Sequence, residues 1–195
     1  FIVLFIIVPN VIVAFFQRRI ASIVVVNLIE GLLRVTIFVA YIVIISCIPD
    51  IQRVFAYHGA EHKTISAWEA GEDLTVTNAA KHTTLHPRCG TSFLLIVMVV
   101  SILLFSLLGR QTLLMRIATR ILLLPVLAGI SYEVLKLAGQ EKVPVLLRWA
   151  SAPGLALQRL TTREPDEHQL EVAIASLNAV IEKDQSKEER AGSQA

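Results

Sequence analysis

Long apolar runs separated by short polar clusters dominate this chain, and they predict helices of membrane length. Residues 1–16 are apolar from the first position and stop at Gln17, Arg18 and Arg19. Residues 20–48 form a second run, closed by Pro49 and Asp50. At about 1.5 Å per residue this run outlasts a hydrocarbon core of about 30 Å, so it must tilt, kink or lie partly in the interface. Residues 92–109 are the cleanest run, free of charge until Arg110. The fourth, 121–138, contains Pro125, which predicts a kink, and its end carries Tyr132, Glu133 and Lys136. The expected fold class is all-α and integral to a membrane, with about four apolar helical segments. Residues 1–49 supply the first two, and 92–138 form a transmembrane hairpin.

The polar stretches fill in the rest. Residues 50–91 read as a soluble loop on the membrane side. Within 139–181, residues 143–160 mix apolar stretches with Arg148, Trp149 and Arg159, as an interfacial segment would, and Pro153-Gly154 should break it. An amphipathic helix follows, with Pro165 at its first position and Asp166 and Glu167 near its positive end. Leu170, Ala173, Ile174, Leu177, Val180 and Ile181 form its apolar stripe, which must dock on this chain or on another protein. Residues 182–195 read as a mobile, charged tail.

Composition agrees with the pattern. Of 195 residues, 54% are hydrophobic and 17% charged, and the mean hydropathy is +0.64. A soluble domain carries roughly 25% charge. Disorder, a coiled coil and nucleic-acid binding are excluded as readings of the whole chain. Two cysteines, Cys47 and Cys89, do not suggest a disulfide-stapled scaffold. The start lacks both Met and the basic region of a signal peptide, so the chain is expected to begin within a longer polypeptide.

Charge is unevenly placed: nine charged residues fall in 50–91 and sixteen in 139–195. Inside the second apolar run, Glu30 and Arg34 are one helical turn apart and can neutralise each other. They are either a plain ion pair near the interface or part of an ion or proton path. The basic residues of the loops place 50–91 and the C-terminus in the cytoplasm.

Reactive side chains concentrate in 57–92. Four of the five histidines lie between residues 58 and 86. In Tyr57-His58-Gly59-Ala60-Glu61-His62, a helix would put His58 and His62 on one face, spaced to share a metal ion. Glu61 beside them is a candidate general base, the inverted form of the zincin motif. Glu69 shares their face if the helix continues, and Gly71 suits its C-terminal cap. His82 and His86 are again four apart, and His86 precedes Cys89 by three residues. A Cys89 thiolate would gain from a helix N-terminus and from Arg88. Zinc suits such mixed nitrogen and sulfur ligands. Three protein ligands with Glu61 left over would make a catalytic site. His58, His62, His86 and Cys89 together would make a closed structural one. A metal-free Cys89 nucleophile with His82 or His86 as base is a third possibility.

Taken with Ile130-Ser131-Tyr132-Glu133, Pro153-Gly154-Leu155 and Leu160-Thr161-Thr162-Arg163-Glu164-Pro165, these motifs resemble the YqhQ family over residues 20–181. The resemblance implies a bacterial inner-membrane protein of unknown function, labelled a metal-dependent enzyme. It also implies His58, Glu61, His62, His86 and Cys89 as the site. The family's glycine-rich N-terminal segment is missing here. Two functions are then expected to compete. One is a membrane-embedded metal-dependent hydrolase; the other is a homo-oligomeric pore, channel or scaffold whose His/Cys loop is structural. Either would have the lipid bilayer as partner and favour assembly with copies of itself.

Overall fold

The computed structural model describes residues 4, 8–17, 20, 22–109, 113–140 and 145–192. All regular elements among them are helices: α1 (Val8–Gln17), α2 (Ile23–Ile45), α3 (Pro49–Glu69), α4 (Val76–Ala80), α5 (Gly90–Ser106), α6 (Leu113–Leu122), α7 (Leu124–Ala138), α8 (Val145–Thr161) and α9 (Glu167–Gly192). The chain divides into two units. One comprises Phe1–Ile45 and Pro87–Gln158, the other Ser46–His86 and Arg159–Ala195.

The first unit is apolar on its outside. Leu32 and Ile44 of α2 are 66% and 67% exposed, and Leu103, Ile121 and Leu122 are comparably open. Its buried positions include Glu30, Ser92, Ser131 and Gln158. Gln158 Nε2 donates to Ser92 Oγ at 2.7 Å, and Asn27 Nδ2 to the Phe105 carbonyl at 3.1 Å, tying α8 and α2 to α5. Soluble proteins seldom expose so large an apolar surface.

Several expected boundaries shift for identifiable reasons. The run 20–48 contributes a helix of 23 residues, about 34 Å long, enough to cross a hydrocarbon core. Among the described residues it is the one helix both long and apolar enough to do so; α5, at 17 residues, is shorter. Four separate crossings are therefore more than these helices establish. Pro49 and Asp50, expected as a stop, begin α3, where proline suits the first position and an acid the positive end. Pro125 does not kink one helix but divides two. The chain breaks at Leu123, because a proline cannot donate to the preceding turn and clashes with its carbonyl. The break expected at Pro153 does not occur, and α8 runs through it. The structure of residues 1–3 and 5–7, Arg18, Arg19, Arg110 and Lys142, and the side chains of Arg116, Arg148 and Trp149, fall outside the description.

The second unit has an ordinary core. Ala60, Ala67, Ala79 and Leu170 are buried together, with Leu74, Val76, Ala173 and Ile174 packed against them. Half of the expected 50–91 loop is thus α3, a helix of 21 residues. Gly71, at φ +72°, ends it: its N–H donates to the Trp68 carbonyl and that of Glu72 to the Ala67 carbonyl, both at 3.0 Å. This paired Schellman arrangement needs a left-handed residue, which glycine adopts without strain.

Helix α9 begins at Glu167, two residues later than expected. Asp166 Oδ1 accepts the Gln169 N–H at 2.8 Å, while Gln169 Oε1 accepts the Asp166 N–H at 2.9 Å. This reciprocal capping box leaves Pro165 just outside the helix. The stripe docks through Leu170, Ala173 and Ile174 on this unit's own core, and α9 continues to Gly192. Asp166→Ala should cost about 1 kcal/mol, read as a lower urea midpoint with an unchanged slope.

Candidate metal centre

Three histidines of the second unit come together. The His58 and His62 rings lie 4.4 Å apart between centroids, and those of His62 and His86 5.7 Å. Helix α3 presents His58 and His62 one turn apart, as the spacing predicts. His86 comes from the irregular segment after α4. His62 and His86 are buried, at 3% and 7% exposure.

Backbone carbonyls fix the first two rings. His58 Nδ1 is 2.8 Å from the Thr161 carbonyl, and His62 Nδ1 is 2.6 Å from the Thr84 carbonyl. A carbonyl only accepts, so each Nδ1 carries the proton and each neutral ring keeps its lone pair on Nε2. The ligating nitrogens of the two rings lie within 4.8 Å of each other. His86 is held differently: its Nε2 is 3.3 Å from Glu69 Oε2, leaving Nδ1 as the lone-pair atom when the ring is neutral. Histidines that bind metals carry this second interaction, with a carbonyl or carboxylate, on the nitrogen facing away from the ion. His58 and His62 therefore belong to a donor group that could hold a metal ion.

Two chain segments crossing α3 supply these carbonyls. Thr162 Oγ1 lies 3.5 Å from Thr84 Oγ1, linking the segments. The later one is strapped down by Arg163, whose N–H donates to the Phe55 carbonyl at 2.9 Å and whose Nη2 donates to the Ser46 carbonyl at 3.1 Å. Gly59 makes the crossing possible, since a Cβ there would lie 2.1 Å from the Arg163 carbonyl oxygen. On the opposite flank, buried Lys63 reaches the Ala80 carbonyl at 3.0 Å and Glu164 at 2.5 Å.

The other candidates also make contacts of their own. His82 faces Glu72, with Nε2 3.3 Å from Oε2, because the chain after α4 is irregular and does not keep it on one face with His86. Glu61 is exposed and makes no hydrogen bond or ion pair among the described residues. It lines a groove of about 340 Å³ with Tyr57, Thr64 and Ile65 of α3 and Val172, Leu177 and Val180 of α9. Cys89 belongs to the first unit and caps α5, its Sγ accepting the Thr91 N–H at 3.4 Å. Glu30 and Arg34 do pair, and Arg120 joins them at 3.0 Å from Glu30 Oε1. Sequence spacing nominated His58, His62, His86 and Cys89, and put Glu69 on the helix face of the first two. It missed the carbonyls of Thr84 and Thr161, and Arg120, which lies 90 residues from Glu30.

Together these features describe an all-helical protein with a membrane-length apolar helix and a backbone-oriented histidine cluster. Residues 1–183 match the family described as "Protein of unknown function (DUF1385)", and the chain belongs to it. It is 42% identical over 153 residues to the uncharacterized protein YqhQ of Bacillus subtilis (strain 168). That match covers 78% of this chain and 48% of the relative, so the chain spans about half of that protein's length. No solved structure matches significantly.

Proposed function

We propose that this is a bacterial membrane protein whose α3 histidines bind a zinc-type divalent ion, and that the ion serves hydrolysis. The carrying observation is the pair His58 and His62, each with Nδ1 committed to a carbonyl and Nε2 left as the ligating atom. Two imidazoles held this way, His62 buried and His58 half-buried, are already oriented before any ion arrives. His86, backed by Glu69, is the third nitrogen ligand. A bound ion would supply Lewis-acid polarisation of a carbonyl or phosphoryl group. With an ion bound, Glu61, next to His62 on α3, would be the group to take the proton of the attacking water. Its carboxylate is unengaged among the described residues, and its groove is at the lower end of small-molecule site volumes. The apolar exterior of the first unit supports anchoring in the bilayer through α2.

Metal analysis of the purified chain tests this. About one zinc per chain is expected, lost in His62→Ala and kept in Glu61→Gln. Cys89→Ser, carried alongside, reads whether the sulfur nominated by the His86–Cys89 spacing contributes. Ester, amide and phosphodiester probes should turn over about 10²–10⁴-fold more slowly with Glu61→Gln. Freshly purified protein without metal would overturn the metal reading; metal retained with full activity in Glu61→Gln would overturn the role of Glu61.

A further inference from the structure

The groove between α3 and α9 combines apolar walls with two polar groups of different kinds. Ile65 of α3 and Val172, Leu177 and Val180 of α9 border its space of about 340 Å³. Glu61 and Thr64 interrupt these walls, three residues apart on α3 and so on one face of it. Thr64 is 1% exposed, and its Oγ1 is a buried hydroxyl with no hydrogen-bond partner among the described residues. Ser176, on the α9 side, is spent within its own helix, its Oγ donating to the Val172 carbonyl at 2.8 Å. An orphaned buried hydroxyl costs free energy until a partner reaches it. The groove is the space beside Thr64 from which a ligand can do so.

Charge narrows what that ligand is. Among the described residues lining the groove, Glu61 is the only one charged at neutral pH, and it is exposed. A phosphate or carboxylate placed here would meet a like charge and no lysine or arginine. An ammonium would gain little from an exposed carboxylate and would lose its water on entering beside a neutral hydroxyl. A neutral amide or ester incurs neither cost, and its carbonyl accepts a hydrogen bond from Thr64. The attached apolar chain gains by leaving water between the two helices.

We propose that this groove binds an uncharged amphiphile, a carboxylic amide or ester with its carbonyl at Thr64 and its chain between α3 and α9. The binding site stands by itself; calling this ligand the substrate rests on the hydrolytic reading above. On that reading water adds at the acyl carbon, and the bond to the alcohol or amine breaks. Glu61 takes the water's proton and passes it to the leaving group. The remaining carboxylic acid ionises to solvent, and Glu61 then repels it from the groove. Phosphodiesters are poor substrates for the same reason.

The test is calorimetric titration of the full chain in lipid nanodiscs, with empty nanodiscs as the blank. The probes are hexanamide, hexanoate, hexyl phosphate and hexylammonium. Hexanamide should bind at about one per chain and the three charged probes at least about tenfold more weakly. Thr64→Val should weaken hexanamide about 3–10-fold, yet raise the thermal midpoint of the free protein by removing the orphaned hydroxyl. Val172→Asp, at a position 39% exposed and so tolerant of a polar group, should weaken it about tenfold or more. Zinc content and ester turnover are read on the same samples. Selective hexanamide binding without zinc or turnover supports the site and overturns only the hydrolytic reading. Zinc and turnover without hexanamide binding, or with hexyl phosphate bound as tightly, overturns the inference and leaves that reading standing. Hexylammonium binding tightest overturns it in favour of a cationic ligand at Glu61. Thr64→Val that binds hexanamide like the parent overturns the contact at Thr64.

Discussion

Gly59→Ala is expected to destabilise the histidine-bearing unit by about 2–3 kcal/mol. Inside an ordinary helix the same change stabilises by about 1 kcal/mol, because alanine is the better helix former. Here the new methyl would sit 2.1 Å from a backbone oxygen, that of Arg163, which cannot rotate aside. The strap has to withdraw, weakening the bonds from Arg163 N–H to Phe55 at 2.9 Å and from His58 to Thr161 at 2.8 Å. Urea unfolding should therefore show a lower midpoint, and zinc should leave the folded variant faster. An alanine variant as stable as the parent, with unchanged zinc release, would show that the strap does not close on Gly59.

Removing Glu69 should weaken metal binding about 10–100-fold although Glu69 is not proposed as a ligand. Its Oε2 holds His86 by Nε2, which fixes the ring and makes the opposite nitrogen a better donor. Glu69→Ala loses both effects. Glu69→Gln keeps an acceptor oxygen and should lose less. The control is Glu72→Ala, which removes the partner of His82 and should leave the affinity unchanged. Competition with a chromophoric chelator measures all three. Equal affinities for Glu69→Ala and Glu72→Ala would remove His86 from the metal site.

The sequence carried those parts of the protein that depend on neighbours along one helix. The His58, His62 and Glu69 face follows from the 3.6-residue repeat, and the docking stripe of α9 follows from the same rule. Gly71 as a helix end was legible because only a left-handed residue serves there. Contacts between remote segments left no local trace. No pattern announces that the carbonyl of Thr161 will meet a histidine 103 residues earlier, since every residue carries a carbonyl. By propensity alone Gly59 argues against a helix, whereas its role is to admit the strap. Membrane spans are hard to count from sequence for a related reason. Apolar run length does not reveal that the break at Leu123, ahead of Pro125, falls inside 121–138, leaving Ile121 and Leu122 on a short α6 and the rest on a 15-residue α7.

The strap that orients His58 lies on the far side of a long excursion. Between His86 and Arg159 the chain builds most of the apolar unit before returning to the one it left. A nascent chain halted before Thr161 has all three histidines translated, yet it lacks one of the two carbonyls that set them. On the proposed metal role, ion capture comes after the apolar helices have been made, and a chain cut within residues 159–164 should release its metal while α3 stays helical. Metal retention thus reports whether the chain has returned from its excursion intact.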